Sequence, residues 1–295
     1  MQNRNFQFEA LLGKGTFGKV YLVKRRKDSK QFVIKEQEQN SSNAWINKMI
    51  TAEVECMQIL RHPNVVSYYG AWQESKNFYI LMEYAAHGTL RNLLDNRSSP
   101  LLEQDCLYLF AQVVMGVHHI HSKNILHRDL KPDNIMLTGR MGDIVKIGDF
   151  GLSRDLRENN LSHAGSYCYI APEMLKKEPY DLKIDVWSMG VVLYEMLTQE
   201  LAFSVTTFKE AVDMVCNRKP ILFRSSKVSK ESRIMVYKML QQRAKLRPTT
   251  RLLLLCPYLA PYVAKVYLNL GRSYSTSSQT FGFSIFNQFL KTPLK

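Results

Sequence analysis

Cysteine is scarce in this chain. The five cysteines, Cys56, Cys106, Cys168, Cys216 and Cys256, include no C-x-x-C pair. Their odd number and wide spacing exclude a disulfide framework and a cysteine-based zinc site. That leads us to expect a reducing, cytoplasmic setting, with nuclear or cytoskeletal association left open. No apolar run approaches the ~18–20 residues of a membrane span. Met1-Gln2-Asn3-Arg4-Asn5 also lacks the apolar centre of a secretory signal. Long basic blocks are missing too, although Lys and Arg outnumber Asp and Glu 40 to 26, for a formal charge of +14. The one tight cluster, Lys24-Arg25-Arg26-Lys27, falls where a hairpin turn is expected. Scattered cations argue for a solvated face and an anion-binding site, and against a nucleic-acid stripe.

What remains is ordinary globular material, 45% hydrophobic and 22% charged over 295 residues. That length suffices for two lobes with separate cores, or for one large domain. Composition alone does not suggest catalysis.

The chemistry is concentrated in two strings. His127-Arg128-Asp129-Leu130-Lys131-Pro132-Asp133-Asn134 packs acids, cations and an amide into eight residues, ahead of the apolar run Ile135-Met136-Leu137. Val145-Lys146-Ile147-Gly148-Asp149-Phe150-Gly151 then reads as a strand, a tight turn and a further acid, with Asp149 twenty residues after Asp129. Asn134 and Asp149 offer hard oxygens of the kind Mg²⁺ prefers, because that ion keeps few protein ligands and shares the rest with phosphate. Asp129 is placed to take a proton from an attacking hydroxyl.

Residues 6 to 35 alternate apolar and polar positions around turn signals, which predicts paired strands. Between the first two lies Leu12-Gly13-Lys14-Gly15-Thr16-Phe17-Gly18, followed by Lys19-Val20. Its glycines let backbone approach phosphate oxygens. A dinucleotide fingerprint would need a helix after the third glycine, but Val20-Tyr21-Leu22-Val23 continues as strand. Residues 44 to 61 carry a helical period, and two strands are expected at 64–69 and 78–82 with 73–77 as the turn between them. From Leu90 to Tyr194 helical patterns dominate, including an amphipathic helix at Leu107 to Ile120. The stretch Leu152 to Gly165 is polar and without strong period.

Together the glycine loop, Phe32-Val33-Ile34-Lys35 and the two strings resemble the eukaryotic protein kinases over about residues 6 to 259. The resemblance implies an α+β, two-lobed fold: a small antiparallel-sheet lobe with one helix at about 6–85, a mainly helical lobe at about 86–259, and a tail of unassigned role at 260–295. It implies ATP and Mg²⁺ as cofactors and protein serine or threonine hydroxyls as substrates. Leu12 to Gly18, Val20 and Val33 would surround the nucleotide, and Lys35 would hold its phosphates. Val33 stands where the family usually has alanine. Met82 would be the gatekeeper, and Glu83-Tyr84-Ala85 the hinge that pairs with adenine. A helix glutamate should orient Lys35; Glu53 and Glu55 compete, and alignment on the turn Arg61-His62-Pro63-Asn64 favours Glu53. Met57 should then touch Phe150. Asp129 and Lys131 would act at the reacting phosphate, Asn134 and Asp149 on the metal.

Further implications concern regulation and structure. Ser166 would bond Asp129 and Lys131 and mark serine/threonine specificity, while Tyr167 replaces the proline many relatives carry. Ser162 stands at a frequent phosphorylation position, with Arg128 as its receiving pocket. Asp185 would anchor the catalytic loop, and Arg247 would pair with Glu173. Thr89 replaces an acid common in arginine-directed kinases. Lys35-Glu36, Leu201-Ala202-Phe203 and Asp149-Phe150-Gly151-Leu152-Ser153-Arg154 look like NIMA-related kinases. Tyr68-Tyr69-Gly70-Ala71-Trp72 and Gly88-Thr89-Leu90-Arg91 look more like stress kinases acting on a translation initiation factor. A catalytically silent pseudokinase is a rival, but it predicts loss of Lys35, Asp129 or Asp149, and all three are present.

Overall fold

The structure, a computed structural model, describes residues 2–15, 18–38, 44–151, 164–217, 223 and 227–274; side chains at 44–49, 164–166 and 271–274 lie outside that description. Its first part is an antiparallel sheet of β1 (Phe6–Gly15), β2 (Gly18–Arg25), β3 (Gln31–Glu38), β4 (Tyr68–Glu74) and β5 (Asn77–Met82), in the order β1-β2-β3-β5-β4. Helix α1 (Ala44–Ile59) joins β3 to β4. Period-2 alternation gives the sheet two faces. Phe6, Val23, Phe32, Ile34, Trp72, Tyr79 and Leu81 close a small core on one face. Cross-strand partners Val20–Lys35–Ile80 and Leu22–Val33–Met82 line the other.

Ile80 and Met82 belong to a second, larger core that also takes in Met57, Phe150 and the helices of the other lobe. Those helices are α2 (Leu90–Asp95), α3 (Glu103–Ser122), α4 (Pro172–Leu175), α5 (Lys183–Thr198), α6 (Phe208–Asn217), α7 (Lys230–Met239), α8 (Thr250–Leu254) and α9 (Ala260–Tyr274). Every residue of α5 from Ile184 to Leu197 is buried. Apart from Asp185, Ser188 and Glu195, these form a nearly continuous run of apolar and small side chains and Tyr194, so α5 is the axis of this lobe. The short hairpin β6 (Ile135–Thr138) and β7 (Ile144–Ile147) sits beside α3. This is the expected α+β architecture. Among the described residues no helix is long and apolar enough to cross a membrane.

One expected strand is different. Residues 64–67 do not enter the sheet; β4 starts at Tyr68 and runs to Glu74, which leaves only Ser75 and Lys76 of the expected 73–77 as the turn before β5. Val65 bridges Ile147 in parallel, Val66 N donates to Ile147 O at 2.9 Å, and Ile147 N donates to Asn64 O at 2.9 Å. The segment after α1 is therefore bonded to the strand that leads to Asp149. It also lies against α3, where a Cβ added at Gly116 would stand 2.8 Å from Asn64 O.

His62 of the same turn stacks on His119 of α3, ring centroids 5.1 Å apart. Burial, then neighbouring positive charge, pulls His62 down to about 3, and burial pulls His119 down to about 4. With folded values below the ordinary 6.5, the neutral rings contribute stability that is complete above pH 6.5 and drains as pH falls. We expect thermal stability to drop between pH 6.5 and 4, His62 contributing up to about 1.4 kcal/mol per pH unit. His62→Phe should make the decline shallower in melts recorded across that range.

Helix α9 packs on α3. Val263 and Val266 are buried, Lys265 Nζ lies 5.2 Å over the Tyr108 ring, and Asn269 donates to Tyr108 Oη at 3.0 Å.

Candidate active site

Lys35 projects from the middle of β3 toward α1. Its Nζ lies 2.7 Å from Oε1 of Glu53 and 3.2 Å from Oδ1 of Asp149. The competing Glu55 is exposed, because two residues along a helix turn the side chain to another face. Glu53 is 2% exposed, and its Oε2 accepts from Gln37 Nε2 at 3.2 Å. Burial alone would lower the Lys35 pKa; the carboxylates of Asp149 and Glu53 outweigh it and raise the ammonium above its ordinary value. Asp149 is held below the usual aspartate range, chiefly by the Lys35 charge, while its side chain remains 38% exposed. One cation thus joins the sheet, α1 and the loop after β7.

The loop around Asp129 is fixed from below. Asp185, fully buried at the start of α5, accepts from His127 N at 2.9 Å and Arg128 N at 2.9 Å, with His121 Nε2 at 2.8 Å. Burial opposes its ionisation, but the His121 hydrogen bond and nearby imidazoles keep its pKa low. These bonds hold Arg128 at φ 70°, and Asp149, at φ 59°, also lies in the left-handed region. Such backbone costs on the order of 1–3 kcal/mol per residue and persists only where surroundings enforce it. The two loops are also tied to each other, His127 Nε2 to Gly148 O at 3.0 Å and Gly148 N to Asn134 O at 3.0 Å.

At the centre, Asp129 Oδ2 is 2.8 Å from Lys131 Nζ. The Asn134 amide donates to Asp129 O at 2.8 Å and to Asp129 Oδ2 at 2.9 Å. Both bonds use the amide nitrogen, which leaves the Asn134 oxygen turned to accept a cation. Among the described residues no group of three or more His, Cys, Asp or Glu could hold a metal by itself. An amide oxygen and a half-exposed carboxylate suit Mg²⁺, provided the remaining oxygens come from phosphate and water. The residues fit the ion.

Above them, Val33 and Met82 are cross-strand partners, Met82 buried beneath the end of β5. Glu83 and Ala85 follow on the connection to the helical lobe. Leu12, Gly13 and Lys14 lie on β1, exposed, and Gly15 pairs with Gly18 across the hairpin. Thr16, Phe17 and Ser162 lie outside the described residues, as does the Ser166 side chain, whose backbone belongs to the 3-10 turn Ala164–Tyr169. Arg128 is described, its guanidinium 5.5 Å from the Tyr180 ring. The buried pair expected lower in the lobe is present: Arg247 donates to Glu173 Oε1 at 2.6 Å and Oε2 at 2.8 Å.

Gly18 allows a local test. Its φ is +122° and an added Cβ would fall 1.9 Å from Glu36 O, whereas one at Gly13 would meet nothing within 4 Å. Gly18→Ala is expected to lose roughly 1–3 kcal/mol of stability in chemical denaturation without nucleotide, and Gly13→Ala close to none.

Sequence reasoning missed Lys146, which is 7% exposed and paired with Glu83 at 2.8 Å. It also missed Arg91, whose Nη1 lies 2.8 Å from Glu195 Oε1 and whose Nη2 donates to Tyr169 Oη at 2.7 Å. Motif strings give no signal for either, since both partners are distant in the chain.

A family model described as the protein kinase domain matches residues 6–259. Serine/threonine-protein kinase Nek8 of Danio rerio is 37% identical over 245 residues, 81% of this chain and 34% of its own length. Serine/threonine-protein kinase Nek5 of Mus musculus is 34% identical over 272 residues, 88% of this chain and 41% of its own length. Serine/threonine-protein kinase nekl-2 of Caenorhabditis elegans is 30% identical over 282 residues, 91% of this chain and 78% of its own length. The chain therefore spans well under half of the first two relatives and most of the third.

Proposed function

The chain belongs to the protein kinase domain family, in its Nek serine/threonine branch, and from that premise we propose that it transfers the γ-phosphoryl group of ATP to serine or threonine hydroxyls of proteins. One observation carries the proposal: a single buried ammonium, Lys35, contacts Glu53 and Asp149 together. That contact brings the sheet, α1 and the loop after β7 to one centre.

In this reading the backbone of Gly13 to Gly18 covers the phosphates, beside Leu12, Val20 and Val33, and the hinge backbone from Glu83 to Ala85 receives adenine below Met82. Lys35 holds the α- and β-phosphates. Asn134 and Asp149 would hold Mg²⁺, which would supply charge neutralisation on the phosphate oxygens. Asp129 orients the substrate hydroxyl and accepts its proton as the new P–O bond forms and the bond from the γ-phosphorus to ADP breaks. Lys131 steadies the γ-phosphoryl oxygens, and Ser166 helps place Asp129 and Lys131. Most of the acceleration comes from positioning and charge, because the transition state is loose.

Phosphorylation of Ser162 would place a charge of about −1.5 to −2 against Arg128, on the loop that also holds Asp129, and so order the site. Substrates are proteins without a strong requirement for arginine before the target. Thr89 is occupied as the cap of α2, and Arg91 already meets Glu195, Asp95 at 3.2 Å and Asp133 at 3.9 Å. A peptide array should therefore show no enrichment for arginine on the N-terminal side. The cytoplasmic reading is supported by the five cysteines, which join in no disulfide among the described residues.

The testing experiment measures ATP–Mg²⁺ turnover on a generic basic protein for the wild type and Asp149→Ala. Incorporation into serine and threonine by the wild type alone is expected. Equal incorporation in both would remove the proposal.

A further inference from the structure

Lysine is almost never buried without a partner, and Lys146 is buried on β7, three residues before Asp149. Its Nζ lies 2.8 Å from Oε1 and 2.9 Å from Oε2 of Glu83, at the end of β5. The same Glu83 Oε2 accepts from Ser67 N at 3.0 Å and from Ser67 Oγ at 2.9 Å, and Glu83 N donates to Ser67 O at 2.9 Å. Three chain segments meet in this cluster: the start of the hinge, the segment after α1, and the strand that delivers Asp149.

Stability alone gives a weak reason for such a pair. Well-packed apolar side chains of similar volume often serve as well as a buried ion pair, or better. Directional bonds do something apolar contacts do not, which is to fix a register. The strand of Lys146 ends at Asp149, and the Glu83 backbone opens the segment proposed to receive adenine. A clasp between them sets the distance from the adenine end of the nucleotide site to its phosphate end.

We infer that Lys146, acting through Glu83 and Ser67, is a positioning residue for nucleotide: it holds the hinge backbone in register with Asp149. The inference rests on the proposed nucleotide site and extends it. A displacement of 1 Å in such a site costs about 10²-fold in rate, so even partial slippage is measurable. Without the ammonium, the Glu83 carboxylate keeps only the Ser67 donors and turns toward water, drawing the hinge with it.

The test compares Lys146→Met, Lys146→Arg and Glu83→Gln with the wild type. ADP–Mg²⁺ affinity is measured by calorimetry, and KM is measured separately for ATP and for a peptide. Lys146→Met is expected to weaken ADP about tenfold and raise KM for ATP by a similar factor, with KM for peptide changed less than about twofold. Lys146→Arg should restore most of the affinity, and Glu83→Gln should fall between. Should Lys146→Met fail to fold, the other two variants carry the comparison. Unchanged ADP affinity in all folded variants would overturn the inference. So would equal losses for ATP and peptide, the mark of a merely structural role. ADP binding needs no turnover, so the expected order of affinities in a chain that transfers no phosphate would support the clasp while sinking the proposed reaction.

Discussion

Asp129→Asn is expected to lower kcat about 10²–10⁴-fold, the range for losing a positioned general base, while ADP–Mg²⁺ affinity stays within about twofold. The substitution preserves shape. What it removes is the carboxylate oxygen that accepts the hydroxyl proton, together with the charge that holds Lys131 Nζ at 2.8 Å. Lys35, Glu53 and Asp149 form their own contacts from other elements. Asn134 loses its bond to the Asp129 carboxylate but keeps the one to the Asp129 main-chain oxygen at 2.8 Å, so the nucleotide end of the site is largely preserved. A steady-state assay with separate nucleotide titration checks both halves. A large loss of nucleotide affinity would place Asp129 among the nucleotide-binding groups, and an unchanged kcat would deny it the proton.

Glu173→Gln should produce the largest loss of stability. The Arg247 guanidinium is fully buried and doubly bonded to Glu173, it donates to Gln241 O at 2.8 Å and Lys183 O at 3.0 Å, and it lies 4.9 Å over the Trp187 ring. Removing one charge leaves the other buried and unpaired, at a cost of roughly 3–5 kcal/mol. For a domain of this size that corresponds to a fall in melting temperature of roughly 6–20 °C. Arg247→Met together with Glu173→Leu should recover part of the loss, since an apolar pair leaves no lone charge. A Glu173→Gln protein that melts with the wild type would show that solvent reaches the pair.

The two catalytic strings were legible because each is local: eight residues around Asp129, and the turn at Asp149, carry their chemistry within a few positions. Glu53 was separable from Glu55 only by alignment on the turn Arg61-His62-Pro63-Asn64; in the fold Glu53 is buried and Glu55 exposed. Pairing across the chain was not legible. Paired valines and tyrosines at 64–69 read as a sheet strand, yet residues 64–66 bond to β7, some eighty positions away. Lys146 read as the polar member of an alternating strand, and only the fold shows that its face is closed by Glu83. Helix α9 had a readable signal, with apolar residues at 263, 266, 267 and 270 in helical period. No motif extends beyond residue 259, so that period carries no functional signal of its own.

The most direct test of the account is a crystal structure of the chain with a non-hydrolysable ATP analogue and Mn²⁺, using the anomalous signal to locate the ion. The account predicts the phosphate chain against Lys35 Nζ and an anomalous peak between the Asn134 amide oxygen and the Asp149 carboxylate. A nucleotide seated elsewhere, with Lys35 and the two loop acids facing separate cavities, would contradict it.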